Sequence, residues 1–308
     1  MFARRGSGSG SRSDTEGATR RPATSLARVA ALTLATGISL SCTPTGVAVD
    51  AMLPSSLRVI AQRGASAYAP ENTLPAFEFA RDLGVLEVEL SVQLSKDDVV
   101  VLFHDATLDE KTQRSGAVRE YTVAELRETD IGRWFDRVHP EAGTKHAGTT
   151  LVSLADLLAL TGDALYYHVE LRSGESELPR LVLLALAGAG LSDQAMIASL
   201  ALEPLIRVRS LDRNMPTCLL LRGGSLAGID RAAAASFDEV GISARDLDAR
   251  FVAYARARGL AVRALATEGD GSADVERAIR LGADGVSSER PDRLIARMVG
   301  GPGEPPRR

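Results

Sequence analysis

The residues of this chain that could do chemistry gather where apolar runs end. Gln62-Arg63-Gly64 closes the run Arg58–Ala61. Glu89 lies near the end of Val85–Val92, and Glu170 near the end of Ala164–Leu171 with Arg172 just beyond it. His104-Asp105 ends a further short run that starts at Val99. Histidine is the side chain that exchanges a proton near neutral pH, which makes His104 the candidate acid or base. Glu87, Glu89 and Ser91 share one strand face, because side chains alternate with period two. Carboxylates that converge on one mouth repel each other unless positive charge lies between them. A divalent cation with oxygen ligands meets that need. Ion pairs to Arg63 and Arg172 meet it too, and spacing alone leaves both readings open.

Strand ends carry the chemistry in one architecture above others, the (β/α)8 barrel, whose site is built at the carboxyl ends of its parallel strands. Eight apolar runs read as strands: Arg58–Ala61, Val85–Val92, Ala164–Leu171, Ala195–Ser199, Thr217–Leu221, Phe237–Ile242, Leu260–Ala266 and Asp284–Ser287. Most gaps between them hold a helical pattern, and that alternation predicts crossover helices on a parallel sheet. Thr122 with Glu125, Ser153 with Asp156, and Ser243 with Asp246 read as capping boxes. Gly259 and Gly282 read as helix stops, and Ser272 as a helix start. One gap is too short for a helix. Ser95-Lys96-Asp97-Asp98 is turn chemistry between two apolar strands, so the second strand folds back as a hairpin. A turn centred on Asp97-Asp98 sets Ser91 opposite His104 and brings the His-Asp pair to the barrel mouth. The fold class is thus an α/β TIM barrel with a hairpin after strand two and a small insert. His168 has the parity of Glu170 and reads as a satisfied histidine of the barrel interior. Glu87, one layer deeper than Glu89, is expected to pair with a buried base or to bind through water. His139, His146 and the single Trp134 fall in the insert, where Trp134 reads as an anchor to the mouth or as a lid over substrate.

Composition narrows the class. Of 308 residues, 45% are apolar and 25% charged, which excludes a disordered chain, a collagen and a coiled coil. A net charge of −4 leaves no basic surplus for a nucleic-acid partner. Two cysteines make no disulfide framework, and Cys218 sits in an apolar run as a core thiol. Residues 1–50 read as an export signal and flexible leader: a basic stretch to Arg28 precedes the uncharged run Val29–Leu40. That run is short of the roughly twenty residues that span a bilayer. Cys42 follows it in a weak lipobox, so either lipidation there, with peripheral membrane association, or cleavage near Ala48 or Ala51 is expected. The barrel takes residues 51–300, the insert about 106–150, and 301–308 is a tail.

Read together, these residues resemble the glycerophosphodiester phosphodiesterase family. The resemblance is carried by Gln62-Arg63-Gly64, Pro70-Glu71-Asn72-Thr73, Ala76-Phe77, Glu89, Asp97 and His104-Asp105. It continues through Gly132-Arg133-Trp134-Phe135, Leu151-Val152-Ser153-Leu154, Glu170-Leu171-Arg172 and Gly282-Ala283-Asp284-Gly285. It implies a barrel that cleaves glycerophosphodiesters to an alcohol and glycerol 3-phosphate. It implies Mg or Ca as a divalent cation on Glu89, Glu170 and the position of Ser91, with substrate phosphate on Arg63 and Arg172. It also implies acid–base work by His104 and the position of Gln62, with Asp105, Glu71 and Asn72 in support.

The chain departs from that family's pattern at the working positions. Gln62 stands where the first His is expected, Ser91 where an Asp is, Arg172 where a Lys is, and Leu265-Ala266-Thr267-Glu268 where a Trp-Thr-Val-Asn block is. An amide has no proton to exchange near neutral pH, and losing one acid–base group costs about 10² to 10⁴ in rate. Arginine for lysine keeps phosphate binding. Three readings follow: a phosphodiesterase of reduced or altered activity, a catalytically silent module that binds a phosphodiester or lipid head group, and a lysophospholipid-cleaving enzyme of the same barrel superfamily.

Overall fold

The computed structural model describes residues 57–266 and 272–298. The leader with Cys42, the pair Thr267-Glu268 and the tail from 301 lie outside the described residues. Each of the eight apolar runs forms a parallel strand: β1 (Arg58–Ala61), β2 (Glu87–Leu94), β4 (Tyr166–Leu171), β5 (Ala195–Ser199), β6 (Thr217–Leu221), β7 (Glu239–Ser243), β8 (Ala261–Ala266) and β9 (Gly285–Ser288). β3 (Val100–Leu102) is the returning arm of the hairpin and runs antiparallel to β2. β1 pairs with both β2 and β9, so the eight parallel strands close into a barrel. In chain order the helices are α1 (Leu74–Asp82), α2 (Val123–Leu126), α3 (Gly132–Val138), α4 (Leu154–Thr161), α5 (Leu178–Ala189), α6 (Leu202–Leu211), α7 (Leu226–Ala234), α8 (Ala249–Arg256), α9 (Ser272–Arg280) and α10 (Pro291–Met298). Among the described residues no helix is long and apolar enough to cross a membrane.

Local chemistry moves some boundaries from their sequence reading. Val85 and Phe237 donate their N–H groups back to Ala80 and Ala232, closing the preceding helix, so β2 and β7 begin two residues later than the apolar runs. The capping boxes of Thr122 with Glu125 and Ser153 with Asp156 both form. That of Ser243 with Asp246 does not. α8 is capped by Asp248, whose Oδ1 accepts from Phe251 N at 2.7 Å, while Ser243 ends β7 and turns the chain. The hairpin register is also one residue from the reading above. Ser95 N donates to Val99 O, so three residues, Lys96 to Asp98, form the loop. Asp98 takes φ 60°, the left-handed residue that a three-residue hairpin loop uses. Val92 therefore pairs with Leu102, and Ser91 O accepts from Phe103 N, with His104 one residue beyond.

The apolar residues lie mostly outside the barrel wall. Val88, Leu90, Val169, Ile197, Leu219, Val240, Val262 and Val286 pack outward against Phe77, Val182, Leu205, Ile229 and Phe251 of the helices. The insert has its own small core of Phe103, Leu108, Val118, Leu126, Ile131 and Leu151, with Trp134 packed against it. The barrel interior is unusually polar. Met196, Ala198, Cys218 and Leu220 form a small apolar cluster beside a charged network in which Glu89, His168, Glu239 and Arg263 are buried and Arg58 and Glu87 are half-buried.

Candidate active site

The loop after β1 builds the first wall. Its backbone makes two unusual turns: Arg63 and Asn72 take φ 53° and 56°, a region that non-glycine residues seldom occupy and that clusters at functional sites. Gly64, at φ 81°, sits so close to α1 that a Cβ there would lie 2.7 Å from Ala76, so only glycine fits. Asn72 N donates to Arg63 O, and Asn72 Oδ1 accepts from Ser91 N at 2.9 Å. That last bond has a topological cause: the β1–β2 pairing covers only Ile60–Ala61 against Glu87–Val88, so Ser91, farther up β2, takes its partner from a side chain instead. Gln62 is held by its backbone, donating to Ser288 O at 2.9 Å. Gln62 Oε1, Arg63 Nε and Asn72 Nδ2 are buried and have no partner, so the loop carries unused donors and an unused acceptor.

The hairpin builds the second wall. His104 Nδ1 lies 2.7 Å from Asp105 Oδ1, so in the neutral ring the proton sits on Nδ1 and Nε2 is left as the acceptor. Gln93 Nε2 donates to the carbonyls of Phe103 at 3.0 Å and Asp105 at 2.7 Å, and Arg172 Nε donates to His104 O at 3.0 Å. The His-Asp segment is thus fixed from both sides. Burial works against the charge of Asp105, but bonds from His104 and Lys111 outweigh it and hold the carboxyl well below its usual range.

The carboxylates complete the site. Glu170 Oε1 pairs with Arg172 Nη1 at 2.9 Å, and its Oε2 accepts from Ser91 Oγ at 3.1 Å. Glu89 lies one layer lower, in register with His168, and accepts from Ser287 Oγ at 3.1 Å and Arg263 Nη1 at 3.5 Å. Burial, with the charge of Glu170 added, pushes the Glu89 carboxyl above its ordinary range against the pull of Arg263. The expected ion pairs are therefore formed in part and with different partners. Arg172 takes Glu170, but Arg63 takes Glu71 at 2.8 Å, and Glu89 is served by Arg263. Arg263 was not singled out from sequence, although an arginine within the run Leu260–Ala266 was the available signal. Glu87 pairs with buried His168 at 2.8 Å, as expected of Glu87, while His168 Nδ1 is buried without a partner, so the interior histidine is satisfied at one nitrogen only.

Glu89, Glu170 and Ser91 offer two carboxylates and a hydroxyl, an all-oxygen set that fits a hard divalent cation. The mutual repulsion of Glu89 and Glu170 favours one. The set has one charge fewer than three carboxylates would, and each carboxylate already holds an arginine. A second group, Glu71, His104 and Asp105, puts donor atoms within 4.8 Å of one another. The cation lying between its carboxylates is the ammonium of Lys111, 2.9 Å from Glu71 Oε1 and 2.9 Å from Asp105 Oδ2. Sequence reasoning missed Lys111 altogether, because it lies in the insert with no strand or motif to mark it.

Comparison with known proteins gives the family and the fold. Residues 63–293 match the glycerophosphoryl diester phosphodiesterase family. A glycerophosphodiester phosphodiesterase of Bacillus subtilis (strain 168) is 28% identical over 270 residues, covering 83% of this chain and 92% of its own. One of Caldanaerobacter subterraneus subsp. tengcongensis is 29% identical over 241 residues, covering 77% and 96%. A solved structure from Silicibacter pomeroyi DSS-3 superposes with a TM-score of 0.71 at 26% identity, covering 80% of this chain and 94% of that one. An Oleispira antarctica phosphodiesterase, solved in complex with its product sn-glycerol-3-phosphate, shares the fold at a TM-score of 0.71 and 24% identity, over 80% and 97%. The matched span takes in every strand from β2 to β9 and every site residue from Arg63 onward, and the chain belongs to the glycerophosphoryl diester phosphodiesterase family, a family of phosphoric diester hydrolases.

Proposed function

We propose that the barrel mouth binds the phosphate of a glycerophosphodiester between Arg63 and Arg172 and cleaves it with His104 as its only acid–base residue. The observation that carries this reading is the fixed imidazole: His104 Nδ1 is held by Asp105, leaving Nε2 to take or give a proton. Arg172 donates to the backbone carbonyl of that same histidine, which ties its guanidinium to the His104 segment. The unused Nε–H of Arg63 supplies a further donor to an anionic oxygen. Gln62 holds an oxygen of the substrate by hydrogen bonds and moves no proton. In this reading Glu89, Glu170 and the Ser91 hydroxyl hold Mg2+ or Ca2+ weakly. A cation there would neutralise charge on the phosphate oxygens. The head group is that of a glycerophosphodiester or a lysophospholipid. The basic lead and short apolar run before Cys42 support export, and Cys42 itself supports a lipid anchor at the cell surface.

The test is release of alcohol or glycerol 3-phosphate from glycerophosphocholine and its relatives, with Mg2+ or Ca2+ and with chelator. Turnover that disappears in His104→Gln supports the reading. Binding of the diester without turnover in the wild-type chain supports the second one, a silent binding module. The observation favouring that second reading is the substitution of Gln62 and Ser91 together, which removes a proton-exchanging group and turns a carboxylate position into a donor toward Glu170.

A further inference from the structure

The geometry points to Lys111 as the positioning residue of this site: a fixed ammonium, supplied by the insert, that holds the histidine arm and the phosphate arm as one unit. This inference rests on the reading of His104 and Arg63 given above. Lys111 is 8% exposed, a degree of burial that lysine reaches only when paired. Its Nζ stands 2.9 Å from Asp105 Oδ2 and 2.9 Å from Glu71 Oε1. Those two carboxylates each spend their other oxygen on a working residue. Asp105 Oδ1 holds His104 Nδ1 at 2.7 Å, and Glu71 Oε2 holds Arg63 Nη1 at 2.8 Å. The path His104–Asp105–Lys111–Glu71–Arg63 is therefore continuous, and every link is a charge-assisted contact below 3 Å. The ammonium also lies over the ring of Trp134, 5.0 Å from its centroid.

A built-in cation at this point does two things. It compensates two carboxylates that would otherwise face His104 together, and it stops either from swinging away from its arm. Asp105 is the one exposed enough to move, with 27% of its side chain accessible, and Lys111 is the contact that restrains its outer oxygen. The insert, which the fold does not need in order to close the barrel, thereby reaches the site through the Lys111 side chain. Trp134, read from sequence as an anchor or a lid, is an anchor here, holding the residue that holds the site.

The experiment separates the two arms with readouts that need no turnover. Inorganic phosphate binding, by calorimetry, reports the phosphate pocket of Arg63 and Arg172, of which Glu71 holds Arg63. The 15N signals of the His104 ring report which nitrogen carries the proton. Glu71→Gln is expected to weaken phosphate binding and leave the His104 tautomer unchanged. Asp105→Asn is expected to disturb the tautomer and leave phosphate binding unchanged. Lys111→Met is expected to do both, and Lys111→Arg to restore both. If the chain turns over glycerophosphocholine, Lys111→Met lowers kcat by on the order of 10²-fold, the size of an effect that misplaces a reacting group by about an ångström, and raises KM as well. A role confined to stability would lower the melting temperature without this split. A folded Lys111→Met chain with wild-type phosphate affinity and a wild-type His104 tautomer would overturn the proposal. Should that variant not fold, the wild-type chain decides: a proton on Nε2 rather than Nδ1 of neutral His104 overturns it equally. Absence of turnover with these binding and tautomer results intact counts against the catalytic reading alone.

Discussion

At the scale of single residues, the site holds its charge almost entirely within the chain. Glu170 and Glu89 are paired to Arg172 and Arg263, Glu71 to Arg63 and Lys111, and Asp105 to Lys111. Among the described residues, Gln62 stands in the site as an amide that exchanges no proton near neutral pH, and Ser91 adds a hydroxyl rather than a third carboxylate to Glu89 and Glu170. Gln62→His together with Ser91→Asp is therefore expected to raise phosphodiesterase turnover, because the first returns a group that titrates near neutral pH and the second a charged ligand for the cation. The gain of the pair should exceed the sum of the singles, as for residues that act as a unit. A folded double variant that binds Ca2+ and leaves glycerophosphodiesters intact would assign the loss to pocket shape, with Leu265 in place of an aromatic residue the first suspect. The cation itself gives a second test. Calorimetry should show weak Mg2+ or Ca2+ binding that vanishes in Glu89→Ala and strengthens in Ser91→Asp. Tight binding that survives Glu89→Ala places the cation elsewhere. His104, Asp105, Arg63, Arg172, Glu89 and Glu170 were legible in the sequence because each ends a strand or belongs to a motif. Lys111 and Arg263 were not, since a side chain that works by reaching across the fold leaves no local pattern.

At the scale of elements, short-range chemistry was read well wherever it decides the outcome alone, and less well where a turn has alternatives. Alternation and length gave all eight parallel strands. The box at Ser153 gave the start of α4, with Ser153 N donating to Asp156 Oδ2 at 2.9 Å and Asp156 N donating back to Ser153 Oγ at 3.2 Å. The hairpin loop differs because Ser95, Lys96, Asp97 and Asp98 suit a two- or a three-residue turn, and only the left-handed φ of Asp98 selects the latter. The Ser243 box failed because Asp248, further along, offers a better-placed oxygen to the first turn of α8. Ser153 also matters beyond its own helix, since it bridges to Val101 of β3 and so ties α4 to the hairpin that carries His104. Ser153→Ala is expected to cost about 1 kcal/mol of stability, the usual value of a lost N-cap. Urea denaturation measures this. Phosphate affinity should stay near wild type, because Arg63 and Glu71 do not depend on α4; a large drop in affinity would mean that the hairpin moves with it.

At the scale of the whole molecule, the unusual feature is the charged network that fills part of the barrel interior. Arg58 bonds Glu239, Arg263 lies 3.1 Å from Glu239 and 3.5 Å from Glu89, Arg263 Nη2 donates to Cys218 Sγ at 3.4 Å, and His168 bonds Glu87. Removing one partner of such a set strands buried charge. Arg263→Leu is accordingly expected to destabilise the fold by about 3–5 kcal/mol in urea denaturation. A cost below about 1 kcal/mol would show that Glu89 and Glu239 take up protons instead. The same network makes stability depend on pH. Burial, reinforced by the charge of Arg263, holds His168 well below its ordinary value of 6.5, so the folded chain keeps it neutral. The unfolded chain protonates it near that value. Between the two, the unfolded state binds more protons, and the contribution of this group to stability falls as pH drops below 6.5, by up to about 1.4 kcal/mol per pH unit. Glu87 and Glu89, whose carboxyls burial pushes upward, act with the opposite sign, since there the folded state binds the extra proton. Comparing the wild-type chain with His168→Gln isolates the histidine, because glutamine does not titrate and keeps an N–H donor for Glu87. Melting or urea denaturation from pH 7.5 to 5 should show the wild type losing stability below about pH 6.5 while the variant stays flatter. Parallel curves for the two chains would mean that His168 takes up its proton at the same pH folded as unfolded, and a wild type that gains stability over the variant as pH falls would mean an imidazolium paired with Glu87.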